Sequence, residues 1–134
     1  RNCHKMFREF PKDNIVEYNS FYLNQCTNRT ICLELSGCIF WLVLKNDIKK
    51  SKLFIFFICF PLVDNVSMYS KIKFSNPSSE DEHTYTQPVF GENADIEEII
   101  TSENCMVIPS KDLSPYIDSE NKLKCYIKLF KKNV

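Results

Sequence analysis

Leu53-Phe54-Ile55-Phe56-Phe57-Ile58-Cys59-Phe60 carries no charged or amide side chain and is dominated by Phe and Ile, residues that favour a pleated, packed surface over a helix. Extended to Val63, the apolar run reaches 11 residues, well short of the about 20 that a membrane-crossing helix needs. The run reads as a buried central strand. It should stop at Pro61, because proline has no N–H to give to a ladder.

Upstream of this strand, Lys45 to Lys52 is polar and reads as a connection, and Cys38 to Leu44 is a second apolar run of strand formers. Ser36-Gly37 separates that run from Thr30 to Leu35, where Ile31, Leu33 and Leu35 alternate with Cys32 and Glu34. Glu17 to Leu23 alternates less cleanly and reads as a further strand. Residues 1–14 lack periodicity and read as an arm or linker before a domain at 15–134. The start at Arg1 fits a piece of a longer protein.

Downstream, Ser67 to Phe74 alternates, with Met68, Ser70, Ile72 and Phe74 on one side. Asn76 to Glu82 gathers turn-forming residues into a solvated loop, and His83 to Phe90 returns as a strand. Ala94 to Ser102 changes period: Ile96, Ile99 and Ile100 recur at helical spacing behind Asp95, with Glu97 and Glu98 facing out. Met106 to Ile108 ends at Pro109, Pro115 to Asp118 reads as a loop, and Lys122 to Leu129 alternates again. About seven or eight short strands with one short helix predict an all-β antiparallel sandwich.

Composition narrows the functional classes. The 134 residues fit one domain, and 44% hydrophobic with 25% charged residues predicts a folded chain. Lys plus Arg equals Asp plus Glu at 17 each, so no net charge draws nucleic acid or an anionic membrane from a distance. With only two Gly, positive-φ turns should fall to Asn and Asp, and loops should be long. Seven Cys is an odd count for a disulfide framework. They read as buried free thiols in an intracellular protein, cytoplasmic or nuclear. Cys26, Cys32 and Cys38 are spaced six apart, which fits no zinc spacing, so neither metal nor cofactor is expected. The acceptor-like triplets at Asn28 and Asn65 are discounted as chance matches in an Asn-rich chain without a visible signal peptide.

No P-loop, dinucleotide glycine pattern, nucleophile elbow or metalloprotease motif occurs. His4 and His83 stand apart from any nucleophile, and Glu97-Glu98 lies on an exposed helix face. No catalytic residue is assigned. The basic run Lys122 to Lys132 interleaves Tyr126 and Phe130, as a nucleic-acid platform would. In a strand, though, Lys122, Lys124 and Lys128 share one parity with Tyr126 and Phe130, which one wet face explains.

The order of Trp41 after Gly37, Leu53 to Cys59, Lys71-Ile72-Lys73-Phe74-Ser75-Asn76, Phe90-Gly91 before Asp95 to Ile100, and Tyr116-Ile117-Asp118 before Leu123 to Ile127 resembles the MATH (TRAF-like) domain family over roughly residues 15–130. The resemblance implies a sandwich that recognises extended peptide segments of partner proteins, often as the substrate-reading part of an adaptor. The groove positions it implies are Phe54, Ile72, Thr86, Ala94 and Ile96. Members that bind Ser/Thr-rich peptides line this groove with aromatics. Here only Phe54 keeps a ring, and the family's Trp-Gly-Phe signature stands as Ala94-Asp95-Ile96. The expectation is a non-catalytic domain with a protein or peptide partner and no nucleic acid or membrane. The alternatives are a self-associating scaffold forming homo-oligomers, and an unrelated β-rich enzyme or ligand-binding domain with an enclosed pocket.

Overall fold

A computed structural model describes residues 8–60, 67–76 and 78–132. The described residues form nine strands in chain order: β1 (Arg8–Glu9), β2 (Ile15–Tyr18), β3 (Thr27–Leu35), β4 (Cys38–Asp47), β5 (Lys52–Phe60), β6 (Ser67–Ser75), β7 (Glu82–Pro88), β8 (Met106–Pro109) and β9 (Leu123–Lys132). One helix, α1 (Ile96–Ser102), lies between β7 and β8, and two single turns of 3-10 helix, Ser110–Asp112 and Ser114–Tyr116, follow β8. The strands make two sheets, a five-stranded one ordered β1-β3-β4-β5-β8 and a four-stranded one ordered β2-β9-β6-β7. The pairings are antiparallel except the short β1 to β3 contact. The all-β sandwich expected from the sequence is the fold observed.

The long apolar run becomes β5 because both of its faces are covered. Leu53, Ile55, Phe57 and Cys59 point between the sheets, where they meet Ile72, Phe74, Leu123, Cys125 and Ile127. Phe54, Phe56 and Ile58 point the other way, into a second cluster closed by Ile99 and Ile100 of α1 with Val43 and Cys105. A strand buried on both faces loses the polar alternation of a half-exposed one. The single-faced strands keep it: β6 buries Ser70, Ile72 and Phe74, and β9 buries Leu123, Cys125 and Ile127.

Local chemistry sets several boundaries. Asp95 caps α1, its carboxylate accepting the N–H of Glu97 at 3.0 Å and of Glu98 at 3.3 Å. The helix therefore starts at Ile96, two residues later than the apolar spacing predicts. The β3–β4 hairpin closes in two residues, Ser36 (φ 52) and Gly37 (φ 80), the paired positive φ values of a turn that matches strand twist. Positive φ also falls on Ser20, Ser51, Asn14 and Asn121, so serine shares the role expected of Asn and Asp. Lys45 to Asp47 belongs to β4 rather than to a loop, and Tyr18 ends β2, leaving residues 19–26 irregular.

The thiols divide. Outside any disulfide, Cys59, Cys105 and Cys125 are buried thiols, Cys26 is an exposed one and Cys38 a half-buried one. Cys32 is disulfide-bonded, a correction to the expectation of uniformly free thiols. Cys3, His4, Pro61 and Asn65 lie outside the described residues.

Candidate functional site

The five positions implied by the family resemblance do not line one groove. Phe54 is fully buried in the cluster beneath α1, and Ala94 packs against that cluster. Ile72 is fully buried in the core between the sheets. Ile96 is 39% exposed at the first turn of α1. Thr86 alone stands exposed on a strand at a sheet edge. Phe54 and Ile72 act here as core residues, because a side chain with no accessible surface cannot touch a ligand unless the fold opens.

The edge strand β7 pairs with β6 on one side and terminates the four-stranded sheet on the other. Its register couples Tyr69 to Pro88, Lys71 to Thr86 and Lys73 to Thr84. Just beyond the strand, the Val89 N–H donates to the Met68 carbonyl at 2.9 Å. That bond fixes the phase of the antiparallel ladder: residues 83, 85 and 87 turn their backbone groups toward β6, while Thr84 and Thr86 turn theirs to the open edge. Pro88 shares the outward phase, where a missing N–H costs the ladder nothing.

Register also defines the sheet's outer face. Ser70, Ile72 and Phe74 are buried, so Tyr69, Lys71 and Lys73 point away from the core. Their β9 partners are Phe130, Lys128 and Tyr126, and Lys124 follows opposite Glu17 of β2. The Tyr69 and Phe130 rings stack at 6.0 Å, and the Lys73 ammonium lies 5.2 Å from the centre of the Tyr126 ring. Lys73 also approaches Glu82 at 3.7 Å. Lys71 and Lys128 stand directly opposite each other, an arrangement of like charges that disfavours the sheet. The sequence pattern had marked the β9 half of this face. The β6 half was missed, because nothing local says that β6 lies beside β9.

Two clefts of about 310 Å³ each open elsewhere. One lies between residues 21–24 and Ser114, Ile117 and Asn121. Beside it, the Asp118 carboxylate accepts the N–H groups of Glu120 at 2.8 Å and Lys122 at 2.9 Å, and these bonds hold the carboxyl below its usual range. The other cleft runs between β1 and β2, past Arg8, Glu9 and Glu17. Neither lining includes a His or Cys to serve as base or nucleophile. Burial pushes the Cys59 and Cys105 thiols up to about 11 and the Cys125 thiol up to about 12, the opposite of what activates a cysteine. Among the described residues, no group of three or more His, Cys, Asp or Glu could hold a metal ion, and no helix is long and apolar enough to cross a membrane.

Among the described residues, the arrangement is a β-sandwich whose four-stranded sheet leaves its outer face and its β7 edge without a covering element. Against known proteins, the sequence matches no family model and no curated protein.

Proposed function

We propose that this chain is a non-catalytic protein–protein interaction domain of MATH-like type that takes an extended segment of a partner as an added strand on β7. It would serve as the partner-reading part of a larger adaptor protein. The observation that carries this reading is the open edge of β7, where Thr84 and Thr86 present backbone donors and acceptors to solvent. An extended peptide completes such an edge with main-chain hydrogen bonds, and its alternate side chains supply specificity.

The proposed site of action is inside the cell. Among the described residues, five thiols outside any disulfide favour a reducing compartment, while the bonded Cys32 favours an oxidising one. Fractionation of its own cells decides between them: recovery of the protein in the cytosolic or nuclear fraction supports the intracellular location, and recovery in the secretory fraction refutes it.

Thr86→Pro tests strand addition. The substitution deletes an N–H that faces the open edge and leaves the β6 ladder intact. Peptides selected from a random displayed library on the wild-type domain should lose binding to this variant, while its melting temperature stays near that of the wild type. The Thr84 and Thr86 amides should also exchange more slowly in the complex. Selected peptides that bind the variant equally well and leave both amides unprotected would sink the reading.

A further inference from the structure

The uncovered face beside β7 carries a charge pattern that restricts what the added strand is made of. We propose that the preferred occupant is an acidic extended segment with carboxylates at every second position; this rests on strand addition at β7. Ligand residues paired with Thr84 and Thr86 place alternate side chains on the outer face of the sheet. The next side chains inward are Lys73 and Lys71, each directly across from one of these threonines. The ligand backbone lies two strand spacings from β6, about 10 Å. A lysine and a carboxylate side chain together bridge that span, and the short threonines leave the path open.

Two features make the preference electrostatic rather than merely permitted. Lys71 faces Lys128 across the β6–β9 pair, and a carboxylate settling near them relieves a repulsion that the free domain carries. Lysines 71, 73, 124 and 128 outnumber the carboxylates on this surface: Glu17 lies opposite Lys124, and Glu82 sits beside Lys73 at the rim. The aromatic rings of Tyr69, Tyr126 and Phe130 give apolar ground to intervening groups.

The test uses three synthetic peptides of about nine residues, long enough to span an edge strand: alternating Glu-Thr, alternating Gln-Thr, and the Glu-Thr composition with its acids in one block. Anisotropy gives affinities, and amide shifts of Thr84 and Thr86 report the binding place. Alternating Glu-Thr should bind roughly three- to tenfold more tightly than Gln-Thr, the range expected of a few exposed ion pairs. The advantage should vanish in Lys71→Gln/Lys128→Gln and at about 0.5 M salt. Equal binding of Glu-Thr and Gln-Thr, with β7 amides shifting, would overturn the acidic preference and leave strand addition standing. If neither peptide shifts those amides, both readings fall. Tighter binding of the blocked isomer refutes the alternate spacing. An oligothymidylate that displaces the Glu-Thr peptide at lower concentration would assign the face to nucleic acid. Concentration-dependent dimerisation that shifts the same amides would assign it to a second copy of the chain. Either of these last two results overturns the proposal.

Discussion

Replacing Phe54 by alanine separates a ligand-binding role from a structural one at the position where the MATH-like resemblance implies a groove aromatic. The ring has no accessible surface and sits between Phe56, Val43 and the α1 residues Ile99 and Ile100. Removing it forfeits about 2 kcal/mol of apolar transfer, and the void under a helix anchored by two isoleucines raises the loss to about 3–5 kcal/mol. The Lys50 ammonium, 5.8 Å from the ring centre, comes from an exposed loop and adds no more than about 0.5–1 kcal/mol. A loss near 4 kcal/mol is a large share of the roughly 5–15 kcal/mol that holds a domain together. At a urea dependence of about 2 kcal/mol per molar, the midpoint should fall by roughly 2 M. Equilibrium urea denaturation followed by Trp41 fluorescence and far-UV circular dichroism reads this directly. Thr86→Ala, exposed on β7, is the control and should stay within about 0.5 kcal/mol of wild type. A Phe54→Ala loss below about 1 kcal/mol, accompanied by weaker peptide binding, would refute the assignment of Phe54 to the core.

Three further outcomes are expected. Ser70 is buried between the sheets and its hydroxyl has no hydrogen-bond partner among the described residues, so Ser70→Ala should match or exceed wild-type stability in the same urea experiment, because it removes a desolvated polar group. Asp95→Ala should cost about 1 kcal/mol through loss of the α1 cap and leave peptide binding at β7 unchanged by anisotropy. Alkali should destabilise the fold from about pH 9. There the unfolded thiols ionise while Cys125, pushed up to about 12, keeps its proton, so the native state binds more protons and stability falls with rising pH. The slope from this one thiol is about 1.4 kcal/mol per pH unit, and in Cys125→Val the total slope of urea stability above about pH 9 should fall by that amount, while Cys59 and Cys105, pushed up to about 11, keep theirs.

What the sequence disclosed is what local spacing governs. The continuous run at 53–60 marked a fully covered strand, and the alternations at 67–74 and 122–129 assigned inward and outward residues that the sheets then respected. The helix was found through its three isoleucines, but its start was misplaced, because hydrophobic period says nothing of the residue whose carboxylate closes the first turn. Glu17 to Leu23 failed as a strand for a tertiary reason. Phe21 is fully buried in the main core, held by its N–H to the Asn121 carbonyl at 2.8 Å, so its apolarity reports packing by a loop rather than by a strand. The functional candidates were hidden for a similar reason. That β7 ends a sheet, and that Lys71 meets Lys128, are facts of pairing between segments more than fifty residues apart, and no window of sequence contains them.

The equality of basic and acidic residues argued against an anionic partner, and the fold shows where that argument stops. Net charge sets the field far from a molecule. Here the signs are sorted: Lys71, Lys73, Lys124 and Lys128 of β6 and β9 lie on one outer face, whereas Glu97 and Glu98 belong to α1, which packs on the opposite side of the five-stranded sheet. Two packed sheets lie about 10 Å apart, and the helix layer adds a comparable distance. The charges of α1 are therefore separated from the lysine face by roughly twice the screening length of about 8 Å at physiological ionic strength. At that separation they do little to neutralise it. A partner that adds to β7 as proposed would meet the local field of the lysines rather than the average of the chain, so its association should speed up at low salt despite a protein with no net charge.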